Sequence, residues 1–450
     1  MPALNDLVRR RTEPALDLLR TLVRQPSVAA TGDGLAECAA LVHRTFEASG
    51  ASARMHTTNG AAPVVIAEFP GASERTLLFY DHYDVQPPDP LGEWTSPPFE
   101  PTIRNGRLYG RGVADNKGDL TTRLAAVDVL KDLHGRLPCR VKFFVEGEEE
   151  IGSVHLAAYI RAHREALRAD ACIWEFGQRD LTERLEITLG IKGMCYLDME
   201  VIATSRDLHS SLGAIVEGAG TQMAWALASL KDPKTGRVLV EGFYDRVREP
   251  SPRELEATRA LPFDEEELKK HMGVDRFIGG VTGFDAHLRL LYQPTCTVCG
   301  LDSGYVGPGS KTVLPRRARA KVDFRLVPDQ DPQEIARLVA AHFERLGVSM
   351  TFTVLGAERA YRTNLDDPFV ALVRETAKES TGREVIVVPT SAGTGPMYDL
   401  GGALGCPIVS IGGSYWGSRG HAPDENIRLR DFEETILLVA RVIERFAGLP

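Results

Sequence analysis

Short apolar runs alternate with helical patterns through the first third of this chain, stop doing so after Gly193, and resume from Asp367. Leu16, Leu19, Leu22 and Val23 repeat at the helical period, as does the stretch from Leu35 to Phe46. Val64 to Phe69 and Thr76 to Tyr80 read as buried strands. A helix over about Asp119 to Leu130, the strand RVKFFVEG and a helix beginning near Ser153 continue the series. Such alternation predicts an α/β layer: a mixed, mostly parallel sheet with helices on both faces, whose functional groups gather at the carboxyl ends of strands.

The interruption has a pattern of its own. A strand (Cys195 to Thr204), a helix (about Gly218 to Leu230), two strands (Thr295 to Leu301 and Ala318 to Leu326), a helix (Pro332 to Leu346) and a strand (Val348 to Leu355) make a βαββαβ series, so an inserted α+β domain is predicted. The expected boundaries are 1–190 and 359–450 for the two parts of the first domain and 191–358 for the insertion. The charged stretch from about Lys231 to Gln293 is expected to be a helical hairpin and loop. Asp431 with Glu434 has capping-box chemistry, which predicts where the last helix starts. The 450 residues also exceed one ordinary core of roughly 100–200 residues.

Composition narrows the partners. Hydrophobic residues at 43% and charged residues at 26% suit a folded globular chain. The net charge is −9, and the one dense basic stretch (Arg316, Arg317, Arg319, Lys321) alternates with Ala318, Ala320 and Val322 like one strand face, so nucleic acid is not an expected partner. No run approaches the ~18 apolar residues of a membrane span. The first residues, MPALNDLVRRRTEPAL, carry charges where a signal peptide needs an apolar core, so the cytoplasm is expected. Seven scattered cysteines predict reduced, mostly buried thiols, and the lone pair Cys296 and Cys299 lacks the companions of a zinc knuckle.

Several segments set His, Asp or Glu just after apolar runs. In LLFYDHYDVQP, His82 is a possible metal ligand, and Asp84 two residues on could hold its other ring nitrogen. In LYGRGVADNKGDL, Asp115 sits in a Gly-flanked loop where one carboxylate could meet two cations; a plain helix cap would use the same residues. FFVEGEEEIGS crowds Glu146, Glu148, Glu149 and Glu150 at a strand end. A solvated acidic turn is the ordinary meaning of such a run, yet adjacent Glu149 and Glu150 point apart, so one could bind metal while the other takes a proton from water. Glu175 after the strand ACIW and His421 in GSRGHAPDENI complete two His and three carboxylates, a donor set for two borderline cations.

The segments HYDVQP, GRGVADNKG, EGEEEIGS and GHAPDEN, in that order and spacing, resemble those of the dinuclear zinc metallopeptidases of the carnosinase, cytosolic dipeptidase and glutamate carboxypeptidase family, over nearly the whole chain. The resemblance implies two divalent ions, zinc or alternatively manganese or cobalt. His82 and Glu175 would hold one, Glu150 and His421 the other, and Asp115 would bridge them. It further implies that Asp84 steadies His82, that Glu149 is the general base, and that the Asp115–Asn116 peptide is cis. The inserted domain would be a lid and dimerisation domain. In it, His209 of DLHSS would reach the partner subunit's site, and Arg325 of KVDFRLVPDQ would grip a substrate carboxylate.

One segment departs from the family pattern. Where the carnosinase-like branch has an Arg before its Gly-rich substrate loop, this chain has Thr390, followed by Ser391, Ala392, Gly393, Thr394 and Gly395. Thr390, Gly393 and Thr394 remain candidate substrate contacts, with backbone N–H groups and a hydroxyl to offer. The expected activity is hydrolysis of dipeptides or of terminal residues of short peptides, by a homodimer. The missing Arg leaves open an N-acyl amino acid as substrate, and a silent binding protein on the same fold is the remote alternative.

Overall fold

In the computed structural model, which describes residues 3–58 and 60–449, each buried apolar run of the first third has become a strand. Leu77, Leu78, Phe79 and Tyr80 are all fully buried because both faces of their strand, Gly71–His82, are covered. Leu77 and Phe79 join one core with Val141, Phe143, Val145 and Ile173. On the opposite face Tyr80 stacks on Trp174 with ring centroids 4.0 Å apart. Continuous apolar runs, rather than alternation, are what strands covered on two sides require.

The chain forms two compact units. The first runs to Gly190 and is completed by Arg362–Pro389 and the chain from Gly395 onward. Its ten-stranded sheet is mixed: Leu137–Glu146, Gly71–His82, Ala171–Trp174 and Ile408–Ser410 lie side by side and parallel, while Val64–Phe69 and Ser52–His56 extend one edge antiparallel. The helices Leu4–Arg24, Lys117–His134 and Leu429–Phe446 pack on one another over one face, and Leu156–Leu167 packs with Met397–Leu404 and against Val64–Phe69 and Leu137–Glu146. The parallel strands end together, so residues that follow them in sequence share one rim.

The second unit, Ile191–Tyr361 with Thr390–Thr394, is built on an antiparallel sheet in the order Thr297–Ser303, Arg317–Leu326, Gly190–Ile202, Thr351–Glu358. Here alternation is strict. Cys195, Leu197, Met199 and Val201 meet Ala318, Ala320, Val322 and Phe324 under the helices Ala219–Ser229 and Pro332–Arg345, while Arg317, Arg319 and Lys321 stay outside. The strand order and intervening helices are those of the predicted βαββαβ unit.

Two local expectations are corrected, and the reading of the cysteines as reduced and mostly buried holds. The stretch 231–293 is not a simple hairpin and loop: it holds three helices, Pro252–Ala260, Glu265–Met272 and Gly283–Tyr292. The last helix begins at Leu429, ahead of Asp431. No side chain caps it, because the Asp431 carboxylate is taken by Arg428 within its own first turn. Cys296 is buried as expected, but Cys299 is exposed; all seven thiols are free. Among the described residues no helix is long and apolar enough to cross a membrane.

Candidate metal centre

Five donor side chains arrive from five stretches of the first unit. His82 is the last residue of its strand, Glu175 directly follows Ala171–Trp174, and Glu150 lies in the short turn Glu149–Ile151 beyond Leu137–Glu146. Asp115 stands in the loop before Lys117–His134, and His421 in the loop before Asn426–Arg428. Asp115 Oδ1 is 3.0 Å from His82 Nε2, and Asp115 Oδ2 is 3.1 Å from His421 Nε2. One carboxylate thus turns an oxygen to each imidazole. His82 Nε2 also lies 3.3 Å from Glu175 Oε2, and His421 Nε2 lies 3.0 Å from Glu150 Oε2.

The donor set suits divalent metal. Tetrahedral zinc with bonds of ~2.0–2.1 Å places neighbouring donors ~3.3 Å apart, close to the 3.0–3.3 Å that separates each imidazole nitrogen from the carboxylate oxygens beside it. Glu175 Oε2 is buried and has no hydrogen-bond donor among the described residues, although it sits beside His82. Closeness without hydrogen-bond geometry is what donors to a common cation leave behind. Burial pushes the Glu175 carboxyl well above the usual range, and the nearby Glu149 carboxylate adds to it, against the opposing pull of His82. Burial likewise pushes Glu149 up to about 8. Cations would relieve this crowding of negative charge.

The four glutamates of EGEEE divide by what they touch. Glu146 accepts a hydrogen bond from Tyr80 and another from Ser153 Oγ at 2.8 Å. Glu148 accepts from Ala62 N–H at 2.9 Å and from His155 N–H at 3.2 Å. Both therefore serve the fold. Glu149 lies in one cluster with His82 and Glu175, all donor atoms within 4.8 Å, and Glu150 lies in another with His82 and Asp115. Gly147 makes the turn possible, since a Cβ there would come within 2.2 Å of the Tyr83 hydroxyl.

Supporting contacts orient the donors. His82 Nδ1 is 3.1 Å from the Asp84 backbone oxygen and 3.3 Å from Asp84 Oδ1, so the carbonyl is the nearer acceptor and Nε2 is left for an ion. Asp84 Oδ2 accepts the Glu150 backbone N–H at 3.0 Å. Gln86, which sequence reasoning passed over, donates from Nε2 to Glu150 Oε2 at 2.9 Å; its position two residues after Asp84 in HYDVQP was the available signal. The Asp115–Asn116 peptide is cis.

The remaining expected residues belong to the second unit. Arg325 donates from Nε to Asp323 Oδ2 at 2.9 Å and from Nη1 to Thr394 Oγ1 at 2.6 Å. The Gly393 N–H is engaged by Ser391 Oγ at 3.0 Å, and Thr390 is buried. His209 is exposed, and its Nδ1 accepts the Ser211 N–H at 3.1 Å, capping the short turn Ser210–Ala214. These residues are not members of the donor cluster.

The model of peptidase family M20/M25/M40 matches residues 78–445. The Cys-Gly metallodipeptidase dug1 of Schizosaccharomyces pombe is 32% identical over 63% of this chain, a match that spans only 60% of that relative's own length. The Beta-Ala-His dipeptidase of Homo sapiens is 29% identical over 73% of this chain and 71% of its own. Among solved structures, an M20 family metallo-carboxypeptidase from Sulfolobus solfataricus is 40% identical, with a TM-score of 0.89 over 97% of this chain and 99% of that one. Human carnosine dipeptidase 1 superposes with a TM-score of 0.77 at 26% identity over the full length of both chains.

Proposed function

The chain belongs to peptidase family M20/M25/M40, and from that membership we propose that it hydrolyses the peptide bond of dipeptides, or of terminal residues of short peptides, with two divalent ions. The observation that carries the reading is Asp115, one oxygen facing His82 and the other facing His421. His82 and Glu175 would hold one ion, His421 and Glu150 the other, and Asp115 both. Bound zinc, or manganese or cobalt in its place, supplies Lewis-acid chemistry that lowers the pKa of water and polarises the scissile carbonyl.

Glu149 handles the proton. Its carboxylate lies next in sequence to Glu150 and in one cluster with His82 and Glu175, which sets it beside water drawn to the ions. As a carboxylate it takes a proton from the attacking water, whose oxygen bonds to the carbonyl carbon. It then gives that proton to the amide nitrogen as the C–N bond breaks, leaving a carboxylic acid and an amine. Asp84 keeps His82 turned so that Nε2 faces the donor cluster.

Substrate recognition is assigned to the second unit. Arg325, fixed at two of its nitrogens by Asp323 and Thr394, is suited to a substrate carboxylate, and Thr390, Gly393 and Thr394 belong to the accompanying loop. A homodimer through this unit is part of the proposal. Its edge strand Thr297–Ser303 exposes Val298 and Leu301, an unprotected apolar edge of the kind that pairs with a second copy. His209 would then serve the partner subunit's site. A second reading, hydrolysis of N-acyl amino acids, would use the same ion-holding residues and the same carboxylate contact as a dipeptide, and buried, uncharged Thr390 offers neither substrate a second cation.

The test is a panel of dipeptides and of N-acetyl and N-succinyl amino acids, offered to chelator-treated protein before and after addition of zinc, manganese or cobalt. Ion-dependent dipeptide turnover is expected, and Glu149→Gln should lower kcat by about 10²–10⁴ while both ions stay bound. Turnover of acyl amino acids alone would reject the peptidase reading. Fewer than two ions per chain and no hydrolysis would reject both.

A further inference from the structure

Glu425 carries no role in the reading so far, yet four donors converge on its carboxylate. Oε1 accepts the backbone N–H groups of Ala114 at 2.8 Å and Asp115 at 3.0 Å. Oε2 accepts the Gly112 N–H at 2.9 Å and Arg111 Nη1 at 2.8 Å. The residue has no exposed surface. Its backbone takes part as well, since the Gly110 N–H donates to the Glu425 carbonyl at 3.0 Å. We propose that Glu425 is a positioning residue: it fastens the loop that carries Asp115 to the loop that carries His421, and so sets the distance between the two ion sites.

The chemistry requires a carboxylate. Three backbone N–H groups and a guanidinium are donors only, and an ionised Glu is acceptor only at both oxygens. Glutamine has nearly the same shape but would turn an NH2 group against one pair of donors, leaving buried N–H groups unpaired.

The His421 loop needs such fastening. The His421 side chain is 56% exposed, against 3% for Glu150, so burial does not hold the ring. Its backbone sits at φ 62°, in the left-handed region. The neighbours of Glu425 add two more ties. Asp424 accepts the Thr95 N–H at 3.0 Å, and Asn426 accepts from Tyr415 Oη at 2.7 Å and donates to the Gly417 carbonyl at 3.1 Å. Three consecutive side chains thus anchor the loop in three directions, and the middle one reaches the bridging carboxylate's own backbone.

This inference rests on the proposed metal centre, and the experiment separates the two. Full-length wild type and Glu425→Gln, stripped and reloaded, are titrated with zinc against a chromophoric chelator, with bound zinc counted after gel filtration. Expected are two ions per wild-type chain and a loss of about 10- to 100-fold in affinity for at least one of them in Glu425→Gln. At saturating zinc, kcat should recover more than half its loss while KM stays within about twofold of wild type. If wild type binds fewer than two ions, the metal-centre reading itself fails. If wild type binds two and Glu425→Gln binds them equally well, only the positioning role is overturned. Should Glu425→Gln not fold, Glu425→Asp keeps the charge and acceptor chemistry but shortens the reach. There a zinc affinity at least about threefold weaker supports the role, and an unchanged one overturns it.

Discussion

In the metal-free chain the two imidazoles stand among carboxylates that hold protons on them. His421, bonded to Asp115 and Glu150, is pushed up to about 10. His82 is raised well above its usual value, burial opposing and Glu175 and Asp115 outweighing it. A metal must displace these protons, so zinc affinity should rise with pH up to the region of 10, with about one proton released per imidazole bound. Calorimetry at pH 7.5 in buffers of different ionisation heat would measure the release, and buffer-independent heats would contradict it. The stability of the stripped protein has the opposite sign. A histidine raised from its ordinary 6.5 stabilises fully below that value and loses the contribution as pH climbs towards 10. Glu149, a carboxyl raised from its ordinary 4.5 to about 8, likewise lowers stability as pH rises between those two values. The Tm of chelator-treated protein should therefore fall between pH 6.5 and 9, and a rising Tm would refute the assignment. In the sequence, adjacency and the family resemblance singled out Glu149 and Glu150, but nothing there said what Glu146 and Glu148 do instead. That depends on which carboxylates meet Tyr80, Ser153 and the Ala62 backbone, contacts made only on folding.

Among the elements, the helix Lys117–His134 does most to align the strand ends beneath the site. Its Arg123 is 1% exposed. It donates to Asp81 Oδ1 at 2.5 Å, to the Tyr80 and Trp174 carbonyls at 2.9 and 2.7 Å, and to the Ile411 carbonyl at 3.2 Å. Three neighbouring strands are thus tied where His82 and Glu175 leave them. Arg123→Met should cost about 3–5 kcal/mol, because it strands the buried Asp81 together with unpaired carbonyls. Adding Asp81→Asn should return part of that loss, as the unpaired carboxyl is gone. Urea unfolding of the four proteins of this cycle measures the coupling, and simple additivity would show the pair to be inert. The strands themselves were legible, since residues covered on two faces must be apolar throughout. The start of Leu429–Phe446 was not, because the Asp431 carboxylate that looked like a cap is consumed by Arg428, a partner that composition does not reveal. The helices Pro252–Ala260 and Glu265–Met272 were obscured by their charge, since the first buries only Thr258 and the second buries no residue.

Across the whole molecule, the interrupted rhythm made an α/β unit and an α+β insertion readable, because the change from continuous to alternating apolar strands is a change from two covered faces to one. Which residues act across subunits is not written in that rhythm. Exposed His209 has an environment of its own, a local cap on Ser211, and nothing in the first unit's donor cluster requires it. If a site draws Glu149 from one chain and His209 from its partner, His209→Ala and Glu149→Ala are each nearly inactive as pure dimers. Unfolded together, or co-expressed in equal amounts, they form mixed dimers in which one site has both wild-type residues and the other has neither. Half of the dimers are mixed and each regains one site of two, so about a quarter of wild-type activity should return. A site built within one chain returns none, since every such site lacks one of the two residues. Tagging the variants differently and purifying through both tags isolates the mixed dimer, in which activity should be about half of wild type. An inactive, doubly purified dimer would remove His209 from the partner's chemistry and leave it the capping residue that its hydrogen bond already describes.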